Sequence, residues 1–373
     1  MRNKIIAISL FIILVFFIIY FPRITDKIYK FSPDVKNKSS YNGVITIADT
    51  VKRTVAGAQF GFMNKVIYNY ETAYPDVRTE LRELKYGDNS EIAVKMSSSD
   101  NHPDIMTYYI NNICIDNKYI YSSDFYLPYA DDLSEYFASG LKNNSYNALP
   151  VSYEVPAVLI NTDLLKQLNI DIPKEINRDN FFTLLTSIDS ALGNDKIYSL
   201  DLYISKNNNI WEPFYINGDM SKITSLKHIR PNLLNVENDN VISSFADSKS
   251  AICVVPVSQM RTLQNIKDKG GSTSFSVYAL PYETTYISNI SFYAAFKTDN
   301  LLKQYAIFSF LKNLLSDNTQ LMLQDIMHLP VKDVAYDKYT YLNNLKYRKK
   351  CVLLDLDSEN INKCYNEMIQ NIH

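Results

Sequence analysis

The 373-residue chain is 46% hydrophobic, enough for a large core and for two lobes rather than one. A formal net charge of -2 and a pI near 6.1 exclude a general nucleic-acid partner. Tyrosine is abundant (29) while glycine (9) and tryptophan (1) are scarce, so a tyrosine found at any one position carries little weight by itself.

The N-terminus reads "MRNKIIAISLFIILVFFIIYFPR". Arg2 and Lys4 precede a 17-residue apolar run, Ile5 to Phe21, broken only by Ser9 and Tyr20. That length is short for a spanning helix and long for a signal-peptide core. No small-residue cleavage site and no lipid-accepting cysteine follow it, so the expectation is an uncleaved, single-pass membrane anchor. Residues 1–42 are therefore read as the anchor followed by a polar tether, with "FSPDVKNKSSYN" at its end. The cysteines, Cys114, Cys253, Cys351 and Cys364, form no CxxC pair, and spacing leaves a Cys351–Cys364 bridge open.

"GVITIAD" (43–49) reads as a strand. A helix follows with Phe60, Met63, Ile67, Tyr70 and Tyr74 on one face, stopped by Pro75, and "DVRTELREL" alternates as a second strand. Strand, helix and strand make a βαβ unit with a parallel sheet. A short helix around Ser90–Met96 and a strand "HPDIMTYYI" repeat the pattern. Ligands of such sheets sit beyond the carboxyl ends of the strands, which points to the loop 49–54, with Asp49 and Arg53, and to Thr107 and Tyr108.

"ALPVSYEVPAVLINTDLLKQLNI" contains a buried strand, Val155 to Ile160, with Glu154 and Tyr153 at its mouth and a helix start capped by Thr162. Asn177 caps the next helix, which presents Phe181, Phe182, Leu185, Ile188 and Leu192 on one face. "FADSKSAICVVPVSQMRTLQ" reads as helix, buried strand and helix, "FSVYALPY" as a strand entering a loop, and residues 300–330 as two helices broken at Ser316-Asp317.

In this order the motifs resemble the extracellular solute-binding proteins of ABC importers, of the sugar-binding group that includes maltose-binding protein. "HPDIM" resembles the family's Pro-Asp strand start, and "LPVSYEVPAVLINTDLLKQLNI" its segment with Pro150, Asn161, Asp163 and Leu164 on matching positions. "IPKEINRDNF", "FADSKSAI", "VYALP" and "IFSFLKNLLSDNTQLMLQDIMHLPVKDV" extend the resemblance over most of 43–335. Arg178 stands where the family has Trp, Ser248 where it has Gly, and His328 where it has Gly before Leu-Pro; "VVPVS" lacks the family's small-residue and Trp turn.

The resemblance implies an α/β, two-lobed periplasmic-binding-protein-like fold of type II behind one N-terminal transmembrane helix. The first lobe would comprise 43–149 with part of 300–373, and the second 150–299. It implies a cell-surface protein, held in the membrane with its binding domain outside, that delivers a small solute, a carbohydrate, to ABC permease subunits. Glu154 falls on the position of a sugar-binding glutamate; its alternative is a structural salt bridge. Trp211 falls where the family supplies an aromatic platform for sugar faces, against a core role. Tyr108, Tyr153, Asp49, Arg53 and Tyr282 complete the candidates, with Asp219 read as a turn residue.

The dispersed histidines suggest no metal, no cofactor is implied, and no hydrolase, protease or nucleotide motif is present. Two rivals stand beside transport: a ligand-sensing or scaffold protein of the same fold, and a membrane-anchored enzyme such as a glycosidase using paired carboxylates.

Overall fold

Alternation of buried residues in Gly43–Thr50 (β1) seats Ile45 and Ile47 in a core, and helix Phe62–Ala73 (α1) covers them with Phe62, Met63, Val66, Ile67 and Tyr70. The chain returns as Val77–Leu84 (β2), parallel to β1, and Ile105–Tyr109 (β3) pairs parallel on the other side of β1. This computed structural model describes residues 41–50, 52, 55, 61–84, 102–109, 118–193, 196–202, 210–229, 238–271, 273–346 and 350–354. The expected anchor, the helix around 90–96, Arg53, Cys114 and Cys364 lie outside the described residues. No helix among the described residues is long and apolar enough to cross a membrane.

A 3-10 helix, Ser123–Asp132, and helix Glu135–Lys142 (α2) lead to Leu149–Glu154 (β4). Val155 alone separates β4 from Pro156–Asn161 (β5), yet the two strands belong to different sheets. Helix Thr162–Gln167 (α3) follows; its cap is Asn161, not Thr162 as expected, because the Asn161 carboxamide accepts from Leu164 N at 2.9 Å. Helix Arg178–Ala191 (α4) starts on the expected cap with a reciprocal pair, Asn180 N to Asn177 Oδ1 (3.0 Å) and Asn177 N to Asn180 Oδ1 (2.8 Å).

Strand Tyr198–Leu202 (β6), short helices Glu212–Ile216 (α5) and Met220–Thr224 (α6), helix Asn238–Ala246 (α7), strand Ser250–Pro256 (β7), helix Met260–Asp268 (α8) and strand Phe275–Ala279 (β8) complete the second lobe, with sheet order β6-β7-β5-β8. The chain then passes through Thr285–Ile287 (β9) into Asn289–Ala295 (β10), which inserts between β3 and β4. Helix Leu301–Leu314 (α9) packs on α1 and β1. Helix Asp317–Met322 (α10) is capped by Ser316, and Leu329–Pro330 (β11) pairs with the outer edge of β4. The first sheet is therefore ordered β11-β4-β10-β3-β1-β2.

Sheet membership differs from the boundaries read in the sequence. Residues 150–154 and 289–295 pair in the first sheet, because β4 carries its hydrogen bonds up to the crossing and β10 returns directly after β9.

Two apolar clusters result. One fills the first lobe and continues over one face of the second sheet, through Leu342 and Leu345 of a 3-10 turn (340–345) that packs on β8. The other, with Phe181, Leu185, Trp211 and Phe214, fills the opposite face of the second sheet. Near the C-terminus, Cys351–Leu353 (β12) pairs parallel to β9, along the second crossing.

Left-handed backbone occurs at Asn169 (φ 54°), past α3, and at Ser248 (φ 57°), past α7. A glycine at such helix ends avoids the clash of Cβ with the backbone. Ser248 keeps the conformation without that relief.

Candidate functional site

Strands β1, β2, β3 and β4 run in one direction, since β3 and β4 are both antiparallel to the β10 between them. Their carboxyl ends therefore share one edge of the sheet, and the start of β10 joins them. Asp49, Glu154 and Asn289 lie on that edge, and the chain leaves it at Val155 for the second lobe. The lobes meet closely here: Val257 N donates to Val155 O at 3.0 Å, and Ser288 N to Glu154 O at 2.9 Å.

Glu154 is 7% exposed, and its Oε2 accepts a hydrogen bond from the hydroxyl of Ser258, in the turn after β7. Burial raises its carboxyl above the ordinary value, against the opposing pull of Ser258, Lys52, Asn289 and Arg261. His328 Nε2 stands 3.7 Å from Glu154 Oε1, while its Nδ1 is 3.1 Å from Ser152 Oγ. Burial, with the charges of Lys52 and Arg261, pushes the imidazole down to about 3. The His328 ring in this contact is thus neutral, and the pair is not an imidazolium–carboxylate ion pair.

At the end of β1, Lys52 Nζ donates to Asp49 Oδ1 and to the Tyr293 hydroxyl, both at 3.1 Å, and that hydroxyl donates to Asp49 Oδ2 at 3.1 Å. All three side chains are buried. The edge thus carries two carboxylates, an ammonium group and several hydroxyls in closed pairs. Such groups can exchange internal bonds for those of a polyhydroxylated solute, donor for donor and acceptor for acceptor.

The remaining candidates lie elsewhere. Tyr153 points to the opposite face of β4 from Glu154 and packs in the core with Phe137, ring centroids 5.2 Å apart. Trp211 is 1% exposed, inside the second lobe against Tyr215. Tyr282 donates to Asp219 Oδ2 at 3.0 Å. The fully buried Asp219 also holds Arg178, through Nε and Nη2 at 2.9 Å, and Lys222 at 2.9 Å, so the presumed turn residue organises an ionic cluster. Burial raises the Asp219 carboxyl, but these donors more than offset it and leave it below its ordinary value. Tyr108 lies on β3 opposite Phe292.

Lys52, Ser258, Tyr293 and His328 were missed as site residues. Lys52 lay in a loop already singled out, and His328 was visible as a replaced glycine; Ser258 and Tyr293 carry no local signal. Among the described residues no group of three His, Cys, Asp or Glu side chains is placed to hold a metal ion.

No family profile and no curated protein matches the sequence. Solved structures do. The GacH receptor of Streptomyces glaucescens, determined unliganded and with acarbose, is 16% identical, with a TM-score of 0.64 over 89% of this chain and 93% of that one. A chitin oligosaccharide binding protein is 14% identical, with a TM-score of 0.63 over 88% and 94%. A Streptococcus pneumoniae solute-binding protein in complex with the blood group A-trisaccharide is 12% identical, with a TM-score of 0.61 over 88% and 95%. The chain has the two-lobed α/β fold of these solute-binding proteins. In the solute-binding fold, lobes joined by short crossings close around a ligand by hinge motion. Here Val155 is one crossing and residues 280–288 are the other, so the polar edge at Glu154 lies where the chain passes from one sheet to the other.

Proposed function

We propose that the chain is a membrane-tethered extracellular solute-binding protein that captures a carbohydrate between its lobes for an ABC importer. The observation that carries this reading is the set of buried charged and hydroxyl groups on the carboxyl edge of the first sheet, where the lobes meet. The fold's likeness to proteins solved with bound sugars supports the substrate class. Ligand bridging both lobes favours the closed form by its differential affinity for that form, and no covalent step is required.

The test is a thermal-shift screen of a 35–373 fragment against mono- and oligosaccharides. A true ligand at about 100 times its dissociation constant adds about 2.7 kcal/mol of stability. No shift with any sugar at millimolar concentration counts against capture. The tether is checked by mass measurement of chain recovered from membranes: residues 1–30 remain attached, and a chain starting after residue 22 refutes the anchor.

A second reading, a sensing or scaffold protein of the same fold, is favoured by Trp211, which packs into a core instead of offering a sugar platform. Co-purification with permease subunits supports the importer reading. Co-purification with another membrane protein supports the second.

A further inference from the structure

Strand β10 carries Asn289, Ser291 and Tyr293 on one face, because alternate residues of a strand share a side. Pairing sets their neighbours: Glu154 lies opposite Asn289, Ser152 opposite Ser291 and Thr107 opposite Tyr293. The extra residue of the bulge falls in β4, at Val151, so β10 keeps its alternation against β3. Directly opposed residues face the same way with Cβ atoms about 5 Å apart, and diagonal neighbours lie about 7 Å apart. These six polar side chains therefore form one strip that runs inward from the carboxyl edge.

The strip is unevenly satisfied. Glu154 is bonded to Ser258, Ser152 to His328, and Tyr293 to Lys52 and Asp49. Thr107 Oγ1 and Ser291 Oγ have no hydrogen-bond partner among the described residues, although these residues are only 1% and 2% exposed. Asn289 donates to Glu154 through its side chain, but its Oδ1 is also without a partner. Buried polar groups are paired as a rule, because an unpaired one has given up its bonds to water. Three unpaired oxygens on one strip, next to the edge where a solute would bond, point to a group that arrives from outside.

We propose that Thr107, Ser291 and Asn289 form an inner subsite that receives the hydroxymethyl arm of a hexose whose ring lies at the Glu154 edge. The proposal rests on the capture reading above and narrows it to sugars with a free primary hydroxyl. The arm's hydroxyl donates once, to Asn289 Oδ1, and accepts twice, from the hydroxyls of Thr107 and Ser291. Ring hydroxyls sit directly on the sugar ring, which is too wide for a place this buried; the hydroxymethyl group reaches one carbon further. A sugar without that hydroxyl leaves all three oxygens unpaired, which a site built for hydrogen bonding rejects.

The experiment melts the full-length wild type, T107V, T107S and S291A, alone and with millimolar D-glucose, D-galactose, D-mannose, maltose and N,N′-diacetylchitobiose. Each sugar is paired with its counterpart lacking the primary hydroxyls. Without sugar, T107V melts about 2 °C above the wild type, because valine keeps the shape and drops an unpaired hydroxyl. With the sugar that stabilises the wild type, T107V and S291A bind about tenfold more weakly, and T107S, which keeps the hydroxyl, binds as the wild type does. The deoxy counterpart binds wild type and T107V alike. A T107V chain that melts below the wild type, or does not fold, shows that the hydroxyl is paired within the fold and overturns the subsite. Undiminished affinity in T107V or in S291A overturns it too and leaves capture at the edge intact. No stabilisation of the wild type by any of these sugars overturns capture and subsite together.

Discussion

Glu154, the last residue of β4, accepts a hydrogen bond from Ser258, which follows β7, so one side-chain bond joins the sheets of the two lobes beside the crossing at Val155. The carboxyl group is buried, and burial raises its affinity for a proton above the ordinary value of 4.5. A raised carboxyl means the folded state binds the proton more tightly than the unfolded one. Wild-type stability from this group is therefore highest below pH 4.5 and declines as pH rises through the folded value.

E154Q removes that decline while keeping an acceptor for Ser258. In urea melts from pH 4 to 7, the variant should gain on the wild type as pH rises, by about 1.4 kcal/mol for each unit by which the carboxyl is raised. Parallel profiles would show that burial does not penalise the charge. Affinity for a sugar identified by screening should fall about tenfold to a hundredfold in the same variant, the worth of a charge-assisted bond. Unchanged affinity would make Glu154 a link between lobes and nothing more.

Asp219 behaves in the opposite sense. Arg178, Lys222 and Tyr282 hold its carboxyl below the ordinary 3.8, so its contribution is present above that pH and is lost as pH falls through the folded value. D219N should cost about 1.5–3 kcal/mol at pH 7, the range for bonds to a charged group. The gap from wild type should narrow below pH 3.8. A gap that holds constant to pH 2 would mean the loss is steric rather than ionic.

Leu342 is fully buried in the apolar cluster that passes from the first lobe onto one face of the second sheet. L342A should cost about 2–5 kcal/mol through the cavity it leaves. Because the cavity lies between lobes, calorimetry should also resolve two transitions where the wild type shows one. A single sharp transition at lower temperature would show that Leu342 supports only one lobe.

At Ser248 the comparison is between two truncations. S248A and S248G both remove the hydroxyl that accepts from Asn161 Nδ2 at 3.2 Å, but only glycine relieves the left-handed backbone. S248G should be more stable than S248A by about 1 kcal/mol. Equal stabilities would mean that the turn relaxes around the side chain.

The features legible in the sequence are those whose cause is local. Asn177, the break at Ser316-Asp317 and the buried face of α4 follow from caps and periodicity within one or two turns, and Glu154 stands out as a charge at the mouth of an apolar strand. The partners of these groups were not legible. Ser258 lies 104 residues from Glu154 and Tyr293 lies 241 from Lys52, so only the sheet order brings them together. Trp211 shows the converse error: its position suggested a platform, but a flat ring serves equally well to fill a core, and local sequence does not separate the two uses.

The strand order of the first sheet places β10 between β3 and β4, although β10 follows the whole second sheet in the chain. During synthesis the first lobe therefore cannot close before residue 295 has emerged, whereas β5 to β8 of the second sheet all fall within 156–279. The lobe that is started first is finished last. For that interval β3 and β4 present open hydrogen-bonding edges to each other and to other chains, an aggregation hazard confined to the nascent protein.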